Sequence, residues 1–316
     1  MEPEYFMTED FDLYSEYEKL MLQLPQDSIT TYGAIARALG DIKAARAVGF
    51  MLSRNPDGHK IKCYKVVHSD GRVGKFTHPL GSEEKIRRLT KDGIIVENGS
   101  VRNFHERCFV DFISDYPLKH LSDLQAELYN EIAKIQDMNM YDLEEYPETG
   151  AVDVSYYDQK GYGVFVYTSA GEIKTRNIVM ESRFPYIPGY LFFREFPFMR
   201  RLVKDFKGVI LVDGNGMLHP RRMGLATMSG KLLDLPTIGI AKSLMMGEVD
   251  DDSVTLYGSS IGKIMWKKYI VSQGWGITLD NAIDFLKVKF PDSYPQLLKI
   301  AHDESLRLSR AGRQTN

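Results

Sequence analysis

Asp153 interrupts an apolar run, Val152-Asp153-Val154, and Asp213 ends another, Val209-Ile210-Leu211-Val212. A carboxylate in a half-buried strand is unfavourable unless it is paired or bound to a metal. Two such acids at neighbouring strand positions, with Glu195 close by, make an oxygen-rich site suited to Mg2+, with Mn2+ as the alternative. A cation there orients water, lowers its pKa and stabilises a phosphate ester under attack. Taken singly, each acid is as readily a cap, a surface group or half of an ion pair, and Asp213 before Gly214 also reads as a turn. His219, in Leu218-His219-Pro220-Arg221-Arg222, shifts the balance to an enzyme. Between the two acids, Pro185 and Pro188 flank Tyr186. Their fixed backbone angles present its ring stiffly, as an exposed probe; the ordinary alternative is a core tyrosine beside a proline turn.

The first half offers a different chemistry. Cys63 stands in Lys60-Ile61-Lys62-Cys63-Tyr64-Lys65. Neighbouring lysines favour the thiolate, which is the nucleophilic form. A lone intracellular cysteine is more commonly a small buried residue. Between 43 and 75, Lys43, Arg46, Arg54, Lys60, Lys62, Lys65, Arg72 and Lys75 face only Asp57 and Asp70. That stretch is either a solvated basic face or a surface for a phosphate backbone.

The elements that must position these groups follow from period and caps. Leu13, Tyr17, Leu20 and Leu24 recur at helical spacing over 12–24. Thr31 caps a short helix, Tyr32 to Leu39, ended by Gly40; a second runs from Ile42 to Arg54. The pair has a helix-turn-helix outline. Residues 106–121 show no period and are expected to link two domains, 1–105 and 122–316. Ser122 is expected to open a helix burying Leu124, Leu128, Ile132 and Ile135. Three strands, 151–157, 163–168 and 173–180, form a meander. A helix at 197–206, strands at 208–212 and 237–241, and a helix at 279–289 follow. The expected fold is thus a mainly α first domain and an α/β second domain with a mixed sheet.

Composition is that of a globular chain, 43% hydrophobic and 26% charged over 316 residues. A net charge of −3 excludes a general basic coat for nucleic acid. No apolar run approaches the ~18 residues a membrane helix needs. The first twenty residues carry seven acids and one lysine, the opposite of a signal peptide. A cytoplasmic monomer without membrane contact is expected. Two cysteines, Cys63 and Cys108, are too few for a disulfide framework.

Asp153-Val154-Ser155-Tyr156, the Phe184–Glu195 block, Asp213-Gly214-Asn215-Gly216 with His219-Pro220-Arg221-Arg222, and Pro236–Ser243 together resemble endonuclease V, over roughly 118–305. The resemblance implies a ribonuclease H-like fold and Mg2+-dependent nicking at the second phosphodiester 3′ to deoxyinosine in damaged double-stranded DNA. Single-stranded DNA and inosine in RNA stay open as substrates. It further implies Asp153 and Asp213 as metal ligands, Glu195 serving the metal and its water, Lys242 at the phosphate and His219 positioning substrate. Tyr186 would be the wedge filling the gap left by the extruded base. Arg194 and Arg221 join it in the DNA-contacting set, and Gly189, Leu191, Gly214, Gly216 and Gly224 would line the hypoxanthine pocket. One departure shows at Trp275, where the family has a histidine near the metal; Trp has no lone pair to offer a cation.

Tyr32–Ala36, Ala44–Gly49, Asn55-Pro56 and Cys63–Val67 with Asp70-Gly71 resemble the DNA-binding domain of O6-alkylguanine-DNA alkyltransferases, over about 12–103. The resemblance implies minor-groove binding, base flipping and irreversible transfer of the alkyl group to Cys63. Arg46 would replace the flipped base, Tyr32 would help rotate the phosphate, and Asn55 would hold the hinge. The small Ala44, Ala45 and Ala47 would let that helix approach the groove. The family's Pro-Cys-His-Arg is Lys62-Cys63-Tyr64-Lys65 here, with Tyr64 for the proton-relaying histidine and Asp92 for its acid partner. Tyr64 is nonetheless counted with the DNA-contacting residues. A non-catalytic module that recognises alkylated DNA is the alternative to transfer.

Overall fold

The computed structural model describes residues 11–54 and 61–314. Its chain forms two compact units. One runs to Asp123 and includes Arg183–Pro188; the other comprises Leu124–Ser182 and resumes at Gly189.

In the first unit, α1 (Leu13–Met21) starts where the Asp12 side chain accepts from Tyr14 N, and it buries Leu13, Tyr17, Leu20 and Met21. The helix stops short of Leu24. β1 (Thr30–Thr31) leads into α2 (Tyr32–Ala38), capped by Thr31 Oγ1 accepting from Ala34 N at 3.0 Å. At Gly40 φ is +106° and a Cβ would lie 2.6 Å from Lys119 N, so this turn admits only glycine. A 3-10 turn, Ile42–Ala44, precedes α3 (Ala45–Ser53). Ala44 and Ala47 are buried, so their smallness serves packing inside the unit and not approach to a groove. β2 (Val66–Val67) runs parallel to β1. Then come α4 (Gly81–Lys91), the hairpin β3 (Val96–Glu97) and β4 (Ser100–Val101), and α5 (Phe104–Arg107). The core here gathers Ile29, Tyr64, Val67, Val73, Leu89 and Ile94.

Residues 106–121 are tied down within this unit. Ile29 N donates to Arg107 O and Phe109 N donates to Ile29 O. α6 (Pro117–Ile132) begins five residues before Ser122, with proline in its first turn, where no N–H is needed. The Ser122 hydroxyl donates back to Lys119 O, as a residue inside a helix does.

The second unit holds a nine-stranded sheet. β5 (Thr149–Tyr157), β6 (Lys160–Ser169) and β7 (Glu172–Glu181) form the expected antiparallel meander. α7 (Leu191–Leu202) begins six residues before the expected start and runs through Pro197. Its buried Phe192, Phe193, Phe196, Met199 and Leu202 outweigh the one hydrogen bond that proline removes. β8 (Val209–Asp213) pairs parallel with β5, and β9 (Thr237–Ala241) pairs parallel with β8, with α8 (Leu225–Leu233) between them. β10 (Glu248–Asp250), β11 (Ser253–Leu256), β12 (Ser259–Met265) and β13 (Tyr269–Gln273) extend the sheet antiparallel beyond β9. α9 (Leu279–Lys289) and α10 (Gln296–Gln314) close the chain, and α10 lies across β5 and β6. The order is β10-β11-β12-β13-β9-β8-β5-β6-β7. β8 and β9 are buried on both faces, as parallel central strands must be. No helix among the described residues is long and apolar enough to cross a membrane.

Candidate functional site

Register brings the two aspartates together. Val152 pairs with Val212 across the parallel β5 and β8, so Asp153 and Asp213 occupy the next position on neighbouring strands. Their side chains keep only 12% and 18% exposure. α10 supplies what lies over them. His302 Nδ1 stands 3.5 Å from Asp153 Oδ1, and ligand atoms of Asp153, Asp213 and His302 all lie within 4.8 Å of one another. One turn on, the Ser305 hydroxyl donates to Asp153 Oδ2 and sits 2.7 Å from Ser155 Oγ. Lys242, just past β9, donates to Asp213 Oδ2 at 2.6 Å.

Glu195 belongs to α7, not to a loop. Burial pushes its carboxyl well above the ordinary value; the Asp153 charge adds to this, Arg194 opposes it, and Asp213 adds more. Such crowding of acids is unstable without positive partners, and against the three acids stand the two fixed charges Arg194 and Lys242. The donor set of carboxylates plus one imidazole therefore fits a divalent cation. Trp275, by contrast, is buried at 6% exposure, with Lys231 Nζ 5.2 Å over its ring. The site's histidine is His302, for which the sequence raises no expectation. A single histidine on an amphipathic helix far down the chain carries no spacing signal.

The other expected residues of this half divide by environment. His219 is buried, and its Nδ1 accepts from Arg221 N at 3.2 Å. Arg221 turns inward, donating to Gln125 Oε1 at 2.7 Å and Gly189 O at 2.5 Å, with its guanidinium over Tyr190. Those bonds hold the Gly189 turn, whose φ is +85°. Arg194 stacks 3.7 Å from the Tyr156 ring centre. Leu191 opens α7, and Gly214 faces Leu225. At Gly216 a Cβ would lie 1.9 Å from Gln273 O, and at Gly224 one would lie 2.4 Å from Asn215 O. Absent side chains there let backbones of neighbouring segments touch. Tyr186 is 58% exposed while Phe184, Pro185 and Ile187 beside it are buried. Its segment is held in the first unit, where Leu13 N donates to Arg183 O and Phe11 packs on Phe184.

In the first unit Cys63 starts a 3-10 turn and is 5% exposed; neither it nor Cys108 is joined in a disulfide. The Tyr64 hydroxyl donates to Asp92 Oδ2 at 2.9 Å, so the tyrosine and acid occupy the expected relation. Burial and then the Asp92 contact raise the Tyr64 hydroxyl well above its ordinary range. Burial alone would raise Asp92, but hydrogen bonds from Tyr64 and Lys65 outweigh it and hold the acid low. Lys65 is not on the basic surface: it is fully buried, donating to Pro25 O at 2.7 Å and to Gln26 O, with Asp92 3.3 Å away. Lys85, inconspicuous in the sequence, is buried too and donates to Val66 O and Val73 O at 2.6 Å each. Burial lowers it to about 8, against a pull from the Cys63 charge. Tyr32 is half-buried with His68 5.7 Å away ring to ring, and Arg46 is exposed on α3. Asn55 lies outside the described residues.

Comparison with known proteins places both halves. The endonuclease V family profile matches residues 131–303, and that of the 6-O-methylguanine DNA methyltransferase DNA-binding domain matches residues 13–94. A bifunctional methyltransferase/endonuclease from Picrophilus torridus is 45% identical over 96% of this chain and 98% of its own. One from Thermoplasma volcanium is 43% identical over 98% and 92%. Among solved structures, endonuclease V from Ciona intestinalis, in complex with DNA containing an inosine followed by a ribo-adenosine, is 26% identical. It aligns with a TM-score of 0.53 over 63% of this chain and 99% of its own. The chain belongs to the bifunctional methyltransferase/endonuclease family, an endonuclease V domain preceded by an alkyltransferase DNA-binding domain.

Proposed function

We propose that this is a DNA repair protein with two separate chemistries, metal-dependent nicking beside deoxyinosine and transfer of an alkyl group from O6-alkylguanine to Cys63. The pairing of Asp153 with Asp213 across β5 and β8, under His302, carries the nuclease reading. The order β7-β6-β5-β8-β9, three antiparallel strands then two parallel ones, supports a ribonuclease H-like core.

In the nuclease, Asp153, Asp213 and His302 would hold a divalent cation, with Glu195 completing its surroundings. Such an ion, when bound, would supply Lewis-acid stabilisation of the scissile phosphate and a more acidic water. Lys242 offsets the charge of Asp213 and meets the phosphate. Ser305 fixes the Asp153 carboxylate by donating to it while accepting from Ser155. His219 and the Arg221-braced Gly189 turn position the damaged nucleotide, with Leu191, Gly214, Gly216 and Gly224 around the base. Tyr186 and Arg194 contact the DNA.

In the transferase, the Cys63 sulfur attacks the alkyl carbon, the carbon–O6 bond breaks, and its electrons return to the guanine. The proton lost by the thiol is balanced by one gained on the base. Buried Lys85 supplies positive charge toward the thiolate, since neutral Tyr64 is no base. Arg46, Tyr32 and Asn55 serve base extrusion. The burial of Cys63 and the neutrality of Tyr64 also favour a second reading, a module that recognises alkylated guanine without transfer.

One substrate panel tests the whole. The full chain is incubated with deoxyinosine, deoxyuridine, deoxyxanthosine and O6-methylguanine duplexes, and with ribo-inosine, with and without divalent metal. Expected are a metal-dependent nick at the second phosphodiester 3′ to deoxyinosine and a metal-independent gain of one methyl on the Cys63 peptide. Absence of the nick contradicts the nuclease assignment. Absence of the mass gain leaves the recognition module in place of the transferase.

A further inference from the structure

We propose that the first unit positions the nuclease's probe: Phe11 and the Leu13 amide, at the start of α1, hold the segment Arg183–Pro188 so that Tyr186 meets the duplex. The inference rests on the nuclease reading, with Tyr186 filling the gap beside an extruded base, and adds what places that tyrosine. Although the segment joins β7 to α7 in sequence, it packs as part of the first unit. The Tyr186 side chain is mostly in solvent, so its placement depends on its backbone and on its buried neighbours Phe184 and Ile187. Pro185 and Pro188 stiffen that backbone but do not anchor it.

Two contacts supply the anchor. The buried Phe11 ring packs on Phe184 with centroids 6.2 Å apart and planes tilted by 44°, within the range of favourable aromatic pairs. The second contact uses a helix start, where the first amides have no partner inside the helix. In α1 the Asp12 side chain accepts from Tyr14 N and Ser15 N. The Leu13 amide is left over, and it donates to Arg183 O at 3.0 Å. A helix terminus and an aromatic pair thus grip the consecutive residues Arg183 and Phe184, just ahead of the probe. Neither contact involves Cys63, so the two chemistries stay separate while the probe of one is built into the unit of the other.

The test is a double-mutant cycle on the full chain, read as kcat/KM for nicking a deoxyinosine duplex with Mg2+. Phe11→Ala is expected to lower it at least about tenfold, inside the ~100-fold that a small misplacement can cost, and Phe11→Leu to restore most of it. Phe11 acts through Tyr186, so Phe11→Ala added to Tyr186→Ala should cost no more than about twofold further, whereas independent effects would multiply. A general loss of folding or of metal would lower both backgrounds alike. Exchange of the α2 amides reports whether the first unit stays folded. Should Phe11→Ala unfold it, Phe184→Ala removes the same ring contact from the other side and takes its place in the cycle. Wild-type nicking by folded Phe11→Ala (or by Phe184→Ala in its place), or a full multiplicative loss in the double variant, overturns the proposal. Wild-type nicking by Tyr186→Ala would instead sink the reading of Tyr186 as the probe, and no nicking by wild type the nuclease reading itself.

Discussion

The Tyr64 hydroxyl donates to Asp92 Oδ2 at 2.9 Å, and Tyr64 directly follows Cys63 in the same 3-10 turn. Its one hydrogen is committed to that carboxylate, so the hydroxyl has none to give the cysteine. With its ionisation pushed above the ordinary range, Tyr64 stays neutral at working pH.

Tyr64→Phe is accordingly expected to change the rate of methyl uptake by no more than about threefold, well under 1 kcal/mol of barrier. Single-turnover transfer followed by mass spectrometry measures it. A loss beyond a hundredfold would put Tyr64 in the proton path.

Lys85 sets a pH dependence. Its folded value of about 8 lies below the ordinary 10.5, so between those values the unfolded chain holds a proton the folded one has shed. Stability of the first unit then rises with pH across that window. From pH 8 to 9.5 the gain from this group is on the order of 1–2 kcal/mol, and Lys85→Met should flatten it. Urea titration with hydrogen exchange of the α4 amides reads the first unit alone. An unchanged slope in Lys85→Met would contradict the assignment.

Gly216→Ala puts a methyl 1.9 Å from Gln273 O, a backbone atom that cannot step aside. The second unit should lose about 3 kcal/mol or more, at the upper end of overpacking costs. Both tryptophans, Trp266 and Trp275, lie in that unit, so their fluorescence during urea unfolding follows it. A loss below 1 kcal/mol would mean that the backbone relaxes there.

Ser305→Ala removes the donor to Asp153 while leaving every proposed metal ligand in place. Metal affinity is expected to fall about 10- to 100-fold, the usual cost of losing an outer partner. Calorimetric titration with Mn2+ measures it, and unchanged affinity would make Ser305 a packing residue only.

Much of this architecture is legible in the amino-acid sequence, for physical reasons that differ between residues. Asp153 and Asp213 stand out because acids in apolar strands need a partner, and parallel pairing of those strands then brings them together. The meander and α9 are legible from period and turns. Glu195 is legible as an acid but not as a helical one, since Pro197 reads as a helix start while burial of the phenylalanines carries α7 through it. His302 and Ser305 are invisible because α10 returns to β5 from about 150 positions away, and local pattern says nothing of such contacts. Lys65 reads as surface charge and Lys85 attracts no notice, yet buried carbonyls accept the hydrogens of both. Arg221 reads as a DNA contact, whereas its guanidinium braces the Gly189 turn.

Two independent sites on one chain make the most direct test a separation of activities. Asp213→Ala, given a deoxyinosine duplex with metal and an O6-methylguanine duplex in parallel, should nick at least about 1,000-fold more slowly, roughly 4 kcal/mol of lost stabilisation. It should gain one methyl on the Cys63 peptide as fast as wild type. Nicking at the wild-type rate by that variant would contradict the account.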